Sequence, residues 1–180
     1  MRKGGAQCVA ALLLSILPAA QSAAVDAGIE FGRGKSKDAS ESDLLRLVAR
    51  GLVLGDGEGK AASWSLWWEA SVGTWRYDTE SGRKQLLDIG TAPSLRYMSR
   101  GTAGFFGELS VGVHYLSRRY VRGENEFSTR VQFSPTLGVG YRFESGAGEI
   151  ALRYQHLSNA DIKRPNPGVE FLLLSVSRKF

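Results

Sequence analysis

A histidine, a serine and a glutamate lie near the end of the sequence, and their side chains are of the types that hydrolyse esters. They are His156, Ser158 and Glu170. A serine hydroxyl is a weak nucleophile until a base such as histidine takes its proton. A carboxylate can then hold the imidazole in the required tautomer and stabilise the imidazolium that forms. This chemistry depends on whether the surrounding elements bring the three side chains together.

The surrounding chain alternates between apolar residues and polar or small residues with a period of two, which indicates β-strands. The clearest example reads RVQFSPTLGVGYRFE, at 130–144. Most of the runs exceed the five or six residues usual in soluble strands and match the roughly 9–11 residues of a tilted membrane strand. One of them, LLRLVARGLV, could equally form an amphipathic helix. The eight candidate strands are about 25–34, 42–53, 63–78, 84–99, 103–118, 126–144, 148–160 and 169–180.

These runs predict an all-β fold, an eight-stranded antiparallel transmembrane β-barrel with an apolar face toward lipid and a polar interior. Short links (RGTAG, SGAG) alternate with longer ones, as in outer-membrane barrels, although LGDGEGKAAS departs from that pattern. Phe180, after alternating apolar residues, resembles an outer-membrane assembly signal. We expect the four tryptophans to form an interfacial girdle. We expect the following polar residues to point inward: Glu69, Asp88, Arg96, His114 (near Glu108), Arg130, Arg142 and Arg153.

The first residues have the pattern of a secretory signal, which predicts an exported protein. Arg2 and Lys3 precede a short apolar run, and small residues follow it up to Ala24. We therefore expect residues 1–24 to be a cleaved signal peptide and 25–180 to be the barrel domain. The single cysteine, Cys8, would be lost with the signal, so a disulfide framework is excluded.

Parity along the strands predicts that the three candidate residues project from the outside of the barrel. His156 and Ser158 share the parity of the lipid-facing Tyr154, and Glu170 shares that of Leu172. The two strands are antiparallel neighbours, so the side chains meet at one rim. The direction of the two strands places this rim on the external side of the membrane. A charged side chain that faces lipid there destabilises the barrel by only about 0–1 kcal/mol. The expected oxyanion donors are the backbone N–H of Asn159 and the side chain of Asn166. A non-catalytic alternative is that these are rim residues that form hydrogen bonds at the membrane interface.

The stretch HLSNADIKRPNPGVE resembles the C-terminal signature of the lipid A 3-O-deacylase (PagL) family, which is His-x-Ser-Asn followed by Pro-Asn-x-Gly-x-Glu. The resemblance implies an eight-stranded outer-membrane barrel that hydrolyses the 3-O ester of lipid A. It also implies that His156 is the base, Ser158 the nucleophile and Glu170 the third member, with Asn159 and Asn166 in the oxyanion region. It implies no cofactor or metal, and it allows a homodimer because some members pair.

Other functions stay open at this point. The chain could be a structural or adhesive barrel, or another acyl-chain enzyme of the outer membrane, such as a phospholipase or a palmitoyl transferase. The pI of about 9.5 does not indicate nucleic acid, because the basic residues lie in loops of an exported barrel. The expected partners are lipopolysaccharide and outer-membrane lipids, and Lys163 and Arg164 are candidates for contact with a lipid A phosphate.

Overall fold

The computed structural model describes residues 25–36, 41–55, 62–99, 103–122, 125–144 and 148–180. The predicted signal peptide lies outside the described residues. Within them, no helix is long and apolar enough to cross a membrane. The strands are β1 (Val25–Ser36), β2 (Glu41–Gly55), β3 (Ser63–Thr79), β4 (Gly82–Met98), β5 (Gly104–Leu116), β6 (Val121–Arg122), β7 (Asn125–Glu126), β8 (Val131–Arg142), β9 (Gly148–Leu157) and β10 (Val169–Lys179).

Eight of these strands close into one barrel, in the order β1-β10-β9-β8-β5-β4-β3-β2. All neighbouring pairs are antiparallel, and β1 closes the barrel against β10. The predicted eight-stranded antiparallel barrel is therefore confirmed. Residues 42–53, which could also have formed a helix, belong to a strand with a register shift between Leu52 and Leu54.

The barrel has an apolar outer surface and a charged interior, the inverse of a soluble protein. Outward residues such as Leu109 and Val139 are 56% and 59% exposed. Inside, the Glu30 carboxylate lies 2.6 Å from Arg46 and 2.5 Å from both Arg50 and Arg153. A closed sheet satisfies its backbone hydrogen bonds internally, so an apolar exterior of this kind suits lipid.

Some inward predictions are confirmed and some are wrong. Arg96, Arg142, Arg153, Glu69 and Asp88 are buried. Arg130, however, is exposed because it precedes β8 and does not continue the alternation of that strand.

His114 is also buried, but its Nδ1 lies 2.7 Å from Asp88 rather than near Glu108. The prediction of a tryptophan girdle is wrong for two of the four residues. Trp67 and Trp75 are 6% and 0% exposed and point inward, as their parity requires. Trp75 packs with Tyr77, Tyr120, Phe127 and Phe171 at one end of the interior.

We call the end where β1 begins and β10 ends the terminal end, and the opposite end the far end. The far end carries the two longest links, 117–130 and 158–168, and the first of these contains the β6–β7 hairpin. The alternation of short and longer links predicts a longer link between β3 and β4, at DTESGRK, and this prediction is wrong. The link is a two-residue turn at 80–81, because both strands extend into that stretch.

Candidate active site

His156 and Glu170 face each other across β9 and β10 at the far end. They are direct partners in the register of the two strands. The Nδ1 atom of His156 lies 2.6 Å from Oε1 of Glu170, and the two side chains are 35% and 41% exposed. Their sequence neighbours Leu157 and Val169 are fully buried, so parity places both polar side chains on the outer face. A carboxylate on Nδ1 leaves Nε2 available to exchange a proton with another group.

Ser158 lies just beyond the end of β9, on the same face as His156. Its backbone N–H and C=O form both hydrogen bonds of an isolated antiparallel bridge to Phe133 of β8. This bridge prolongs the extended geometry by one residue, so Ser158 stays on the outer side at intermediate exposure. Among the described residues, none forms a hydrogen bond to its hydroxyl. In proteins without bound substrate, such hydroxyls are often not yet in contact with their base.

Gly168 lies against the ring of His156. A Cβ atom added there would be 2.7 Å from Cε1 of His156, which is closer than real side chains approach. The φ angle of Gly168 is +70°, a conformation that other residues adopt at a cost. Glycine at this position therefore leaves the space in which the imidazole lies.

The two predicted oxyanion residues are hydrogen-bonded to each other. The backbone N–H of Asn159 donates to Oδ1 of Asn166 at 2.9 Å, and the Asn166 amide nitrogen donates to Asp161 at 3.4 Å. The Asn159 side chain is buried and points inward, because it follows the outward-facing Ser158. The residues that follow, Ala160 and Asp161, have φ angles of 54° and 58°, and Ile162 N–H donates to the Asn159 carbonyl. This tight turn holds the Asn159 carbonyl. The peptide that carries the Asn159 N–H is held separately, because its carbonyl, that of Ser158, accepts from the Phe133 N–H.

Ser128 connects this loop to the link between β5 and β8. Its hydroxyl donates to the carbonyl of Lys163 at 2.6 Å and accepts from Nδ2 of Asn159 at 2.9 Å. Its backbone N–H donates to the carbonyl of Pro165. The side chains of Lys163 and Arg164, the candidates for phosphate contact, are exposed, and Arg164 lies 3.6 Å from Asp161.

An apolar groove extends from His156 across the outside of β8, β5 and β4. Two prolines lie on either side of Val111 within the sheet: Pro135 is its partner in β8, and Pro93 is in β4. In the β4–β5 register, Thr91 and Ser94 have partners in β5, but the two residues between them, one of which is Pro93, do not. Proline has no N–H to donate, so it removes a hydrogen bond from the ladder. The groove has a volume of about 580 Å³ and is lined by Pro93, Leu109, Ser110, Val111, Pro135, Thr136, Leu137, Tyr154 and His156.

The comparison with protein families identifies the relatives of this fold and site. Residues 56–179, which include every residue of the candidate site, match the model of the family described as lipid A 3-O-deacylase (PagL). The chain belongs to this family. The resemblance predicted from HLSNADIKRPNPGVE is therefore confirmed.

Two curated PagL relatives match parts of the chain. The lipid A deacylase PagL of Pseudomonas aeruginosa is 30% identical over 105 residues, which is 58% of each chain. The protein of the same name from Bordetella bronchiseptica is 32% identical over 76 residues, or 42% of each chain. The aligned part thus covers about half the length of these relatives.

Solved structures support the same fold. The crystal structure of the outer membrane enzyme PagL matches with a TM-score of 0.67 and 20% identity, over 85% of this chain and 98% of the other. Neisserial surface protein A matches with a TM-score of 0.58 and 13% identity, over 87% and 96%. At these identities the likeness establishes the barrel fold alone.

Sequence reasoning identified the polar residues but missed their supports. Gly168 is part of the quoted motif, and the Pro167-Gly168 pair was a turn signal in the sequence. The structure shows that this glycine has a positive φ. Pro93 and Pro135 inside predicted strands were a second signal, because proline is rare within a sheet. Ser128 carries no local signal, since its partners lie more than thirty residues away in the sequence.

Proposed function

We propose that this protein is an outer-membrane esterase that removes the ester-linked 3-O acyl chain of lipid A. The observation that carries the proposal is the contact between His156 and Glu170 on the outer face, with Ser158 two residues further on the same face. Membership of the lipid A 3-O-deacylase family supports the same activity. The names of the two curated relatives agree with it.

In the proposed mechanism, Oγ of Ser158 attacks the ester carbonyl carbon while Nε2 of His156 takes its proton. Glu170 holds Nδ1–H and stabilises the imidazolium. The tetrahedral intermediate expels the sugar oxygen, which takes the proton from His156, and an acyl-serine remains. A water molecule then attacks this ester, with His156 again accepting a proton and returning it to Ser158. The products are a fatty acid and a lipid A with one free hydroxyl.

The negative oxygen of the intermediate needs hydrogen-bond donors. We propose the backbone N–H of Asn159, which follows the nucleophile directly, together with the amide nitrogen of Asn166. The Asn159 N–H now donates to the Asn166 oxygen, so substrate binding must rotate or displace the Asn166 side chain. Donors of this kind typically contribute about 10²–10³ in rate.

The groove beside His156 suits the acyl chain that is removed. Its lining is mostly apolar, and it starts at the proposed base. A chain lying in it would keep its ester carbonyl near Ser158 while its tail follows β8 and β5. Lipid would cover the other side of the tail, because this face of the barrel is the one exposed to the membrane.

The link lengths support an active site in the external leaflet. Outer-membrane barrels have short periplasmic turns and longer external loops. The two longest links, 117–130 and 158–168, lie at the far end with the candidate site. Lipid A occupies the external leaflet of that membrane, so substrate and site would meet at the same depth.

Mass spectrometry of lipid A from cells that express the protein or its Ser158→Ala variant tests the proposal. We expect the intact protein to remove one 3-O hydroxyacyl chain and Ser158→Ala to remove none, at equal amounts of folded barrel. Unchanged lipid A with the intact protein would contradict the proposal and favour a structural barrel. A gain of palmitate would instead indicate acyl transfer.

A further inference from the structure

The outer surface at the far end changes character at the candidate site. On one side of His156 lies the apolar groove. On the other side the register pairs Glu170 with Lys35, and Lys35 with Glu41. Two residues along each strand toward the middle of the barrel, the next set of outward-facing partners is also mostly charged. In order from β10 to β3 it consists of Leu172, Arg33, Asp43 and Arg76. The site thus lies on a border between an apolar and a charged surface.

Lys35 is the cation nearest the candidate triad in this register. It is exposed and shares the outward parity of Arg33. Directly opposed residues in an antiparallel pair have Cβ atoms about 4.5–5.5 Å apart, so its side chain starts beside that of Glu170. Within the described part of the chain, the Lys35 ammonium forms no ion pair.

Arg33 lies two residues from Lys35 on the same face and is free to exchange its partners. Its guanidinium lies 3.3 Å from Glu41 and 3.5 Å from Asp43, and its side chain is 72% exposed. Exposed ion pairs of this kind are weak and are screened by salt. A doubly charged phosphate that approaches Lys35 could therefore also take a hydrogen bond from Arg33.

We propose that Lys35, assisted by Arg33, binds a phosphate group of the saccharide headgroup of the substrate. This inference rests on the proposed function, because an ester held at Ser158 fixes where the headgroup lies. With the acyl chain in the groove over β8 and β5, the sugar must extend toward β10 and β1. The phosphate then meets Lys35, and the border between the two surfaces orients the lipid.

Kinetics with two forms of one substrate test this directly. Bis-phosphorylated lipid A and the same lipid A without phosphates are presented in zwitterionic detergent micelles. We expect the KM of the unaltered protein to be about tenfold higher for the phosphate-free form, because a charge-assisted hydrogen bond is lost. Lys35→Gln should raise the KM for the phosphorylated form several-fold toward that level, with Arg33 retaining a small preference, and leave the KM for the phosphate-free form unchanged. Lys35→Arg should restore the preference.

The matched control is Arg178→Gln, which removes an exposed positive charge from β10 at the other end of the barrel. Arg178 lies about 26 Å from Glu170 along the strand, at roughly 3.3 Å per residue. Its substitution should therefore leave the preference for the phosphorylated substrate unchanged. An equal fall in kcat with both substrates for Lys35→Gln would indicate an effect on Glu170 and overturn the proposal. Loss of the preference on adding phosphatidylglycerol would also overturn it, since Lys35 would then bind anionic lipids in general.

A binding arm separates this inference from the proposed function. The Ser158→Ala barrel, in phosphatidylcholine vesicles, is titrated with the two lipid A forms, with and without Lys35→Gln. Preferential binding of the phosphorylated form that depends on Lys35 supports the phosphate site even where no hydrolysis occurs. Equal binding of the two forms overturns it, whether or not the protein is a deacylase.

Discussion

The Nδ1 atom of His156 lies 2.6 Å from Oε1 of Glu170, between two residues that are direct partners across β9 and β10. Because the pair is fixed by strand register, neither side chain depends on a flexible loop for its position. The rigid sheet therefore presents an oriented imidazole on a surface that faces lipid. Such pre-organisation is what a positioned base requires.

Glu170→Gln tests the role of this contact. The substitution keeps the size of the side chain but lets it bond to the wrong tautomer of His156. We expect kcat for lipid A deacylation to fall by about 10⁴-fold, the size of the corresponding change in serine proteases. The measurement is release of hydroxy fatty acid in detergent micelles, with heat-modifiable migration on gels showing that the barrel is folded. Full activity in Glu170→Gln would remove Glu170 from the mechanism.

Gly168→Ala tests whether the space beside the imidazole is required. The added Cβ would lie 2.7 Å from Cε1 of His156, so the imidazole must shift from its present position. We expect a loss of at least about 10²-fold in kcat/KM, by analogy with small misplacements in other enzymes. The matched control is Gly82→Ala, where φ is +108° but no atom lies within 4 Å of an added Cβ. Equal losses in both variants would indicate backbone strain alone.

Ser128→Ala removes a connection between the two long links of the far end. The Asn159 amide loses an acceptor, and the Lys163 carbonyl loses a donor. We expect faster hydrogen–deuterium exchange in 158–168 and several-fold lower kcat, because the Asn159 N–H is less well oriented. Ser81→Ala, in the exposed β3–β4 turn at the same end, should change neither quantity. Unchanged exchange in Ser128→Ala would contradict this role.

Glu30→Gln tests how the interior network stabilises the barrel. Glu30 contacts Arg46, Arg50 and Arg153, and all four side chains are almost fully buried. Breaking a buried charge pair typically costs about 3–5 kcal/mol, so we expect a loss of this size in the free energy of unfolding. Urea titration in lipid vesicles, followed by tryptophan fluorescence, measures it. Glu41→Gln, which alters an exposed pair with Arg33, should cost about 0–1 kcal/mol.

The sequence by itself determined the class of fold and the side of the sheet on which each polar residue lies. Successive side chains of a strand point to opposite faces, so position along the strand determines the face. The predicted strands are long enough to cross a membrane, and their apolar face suits contact with lipid. His156, Ser158 and Glu170 could be assigned to the outer face for this reason. Parity was also a better guide than residue type, since Trp67 and Trp75 have inward parity and are buried.

Only the tertiary structure decided which residues meet. The alternation assigns each residue to a face but does not say which residue of the neighbouring strand lies opposite it, because that depends on register. The closure of β1 against β10 sets the register that brings Lys35 opposite Glu170. The contact of Ser128 with Asn159 and the fit of Gly168 against His156 depend on how two links fold over the rim. Such contacts join residues distant in sequence, so no local pattern encodes them.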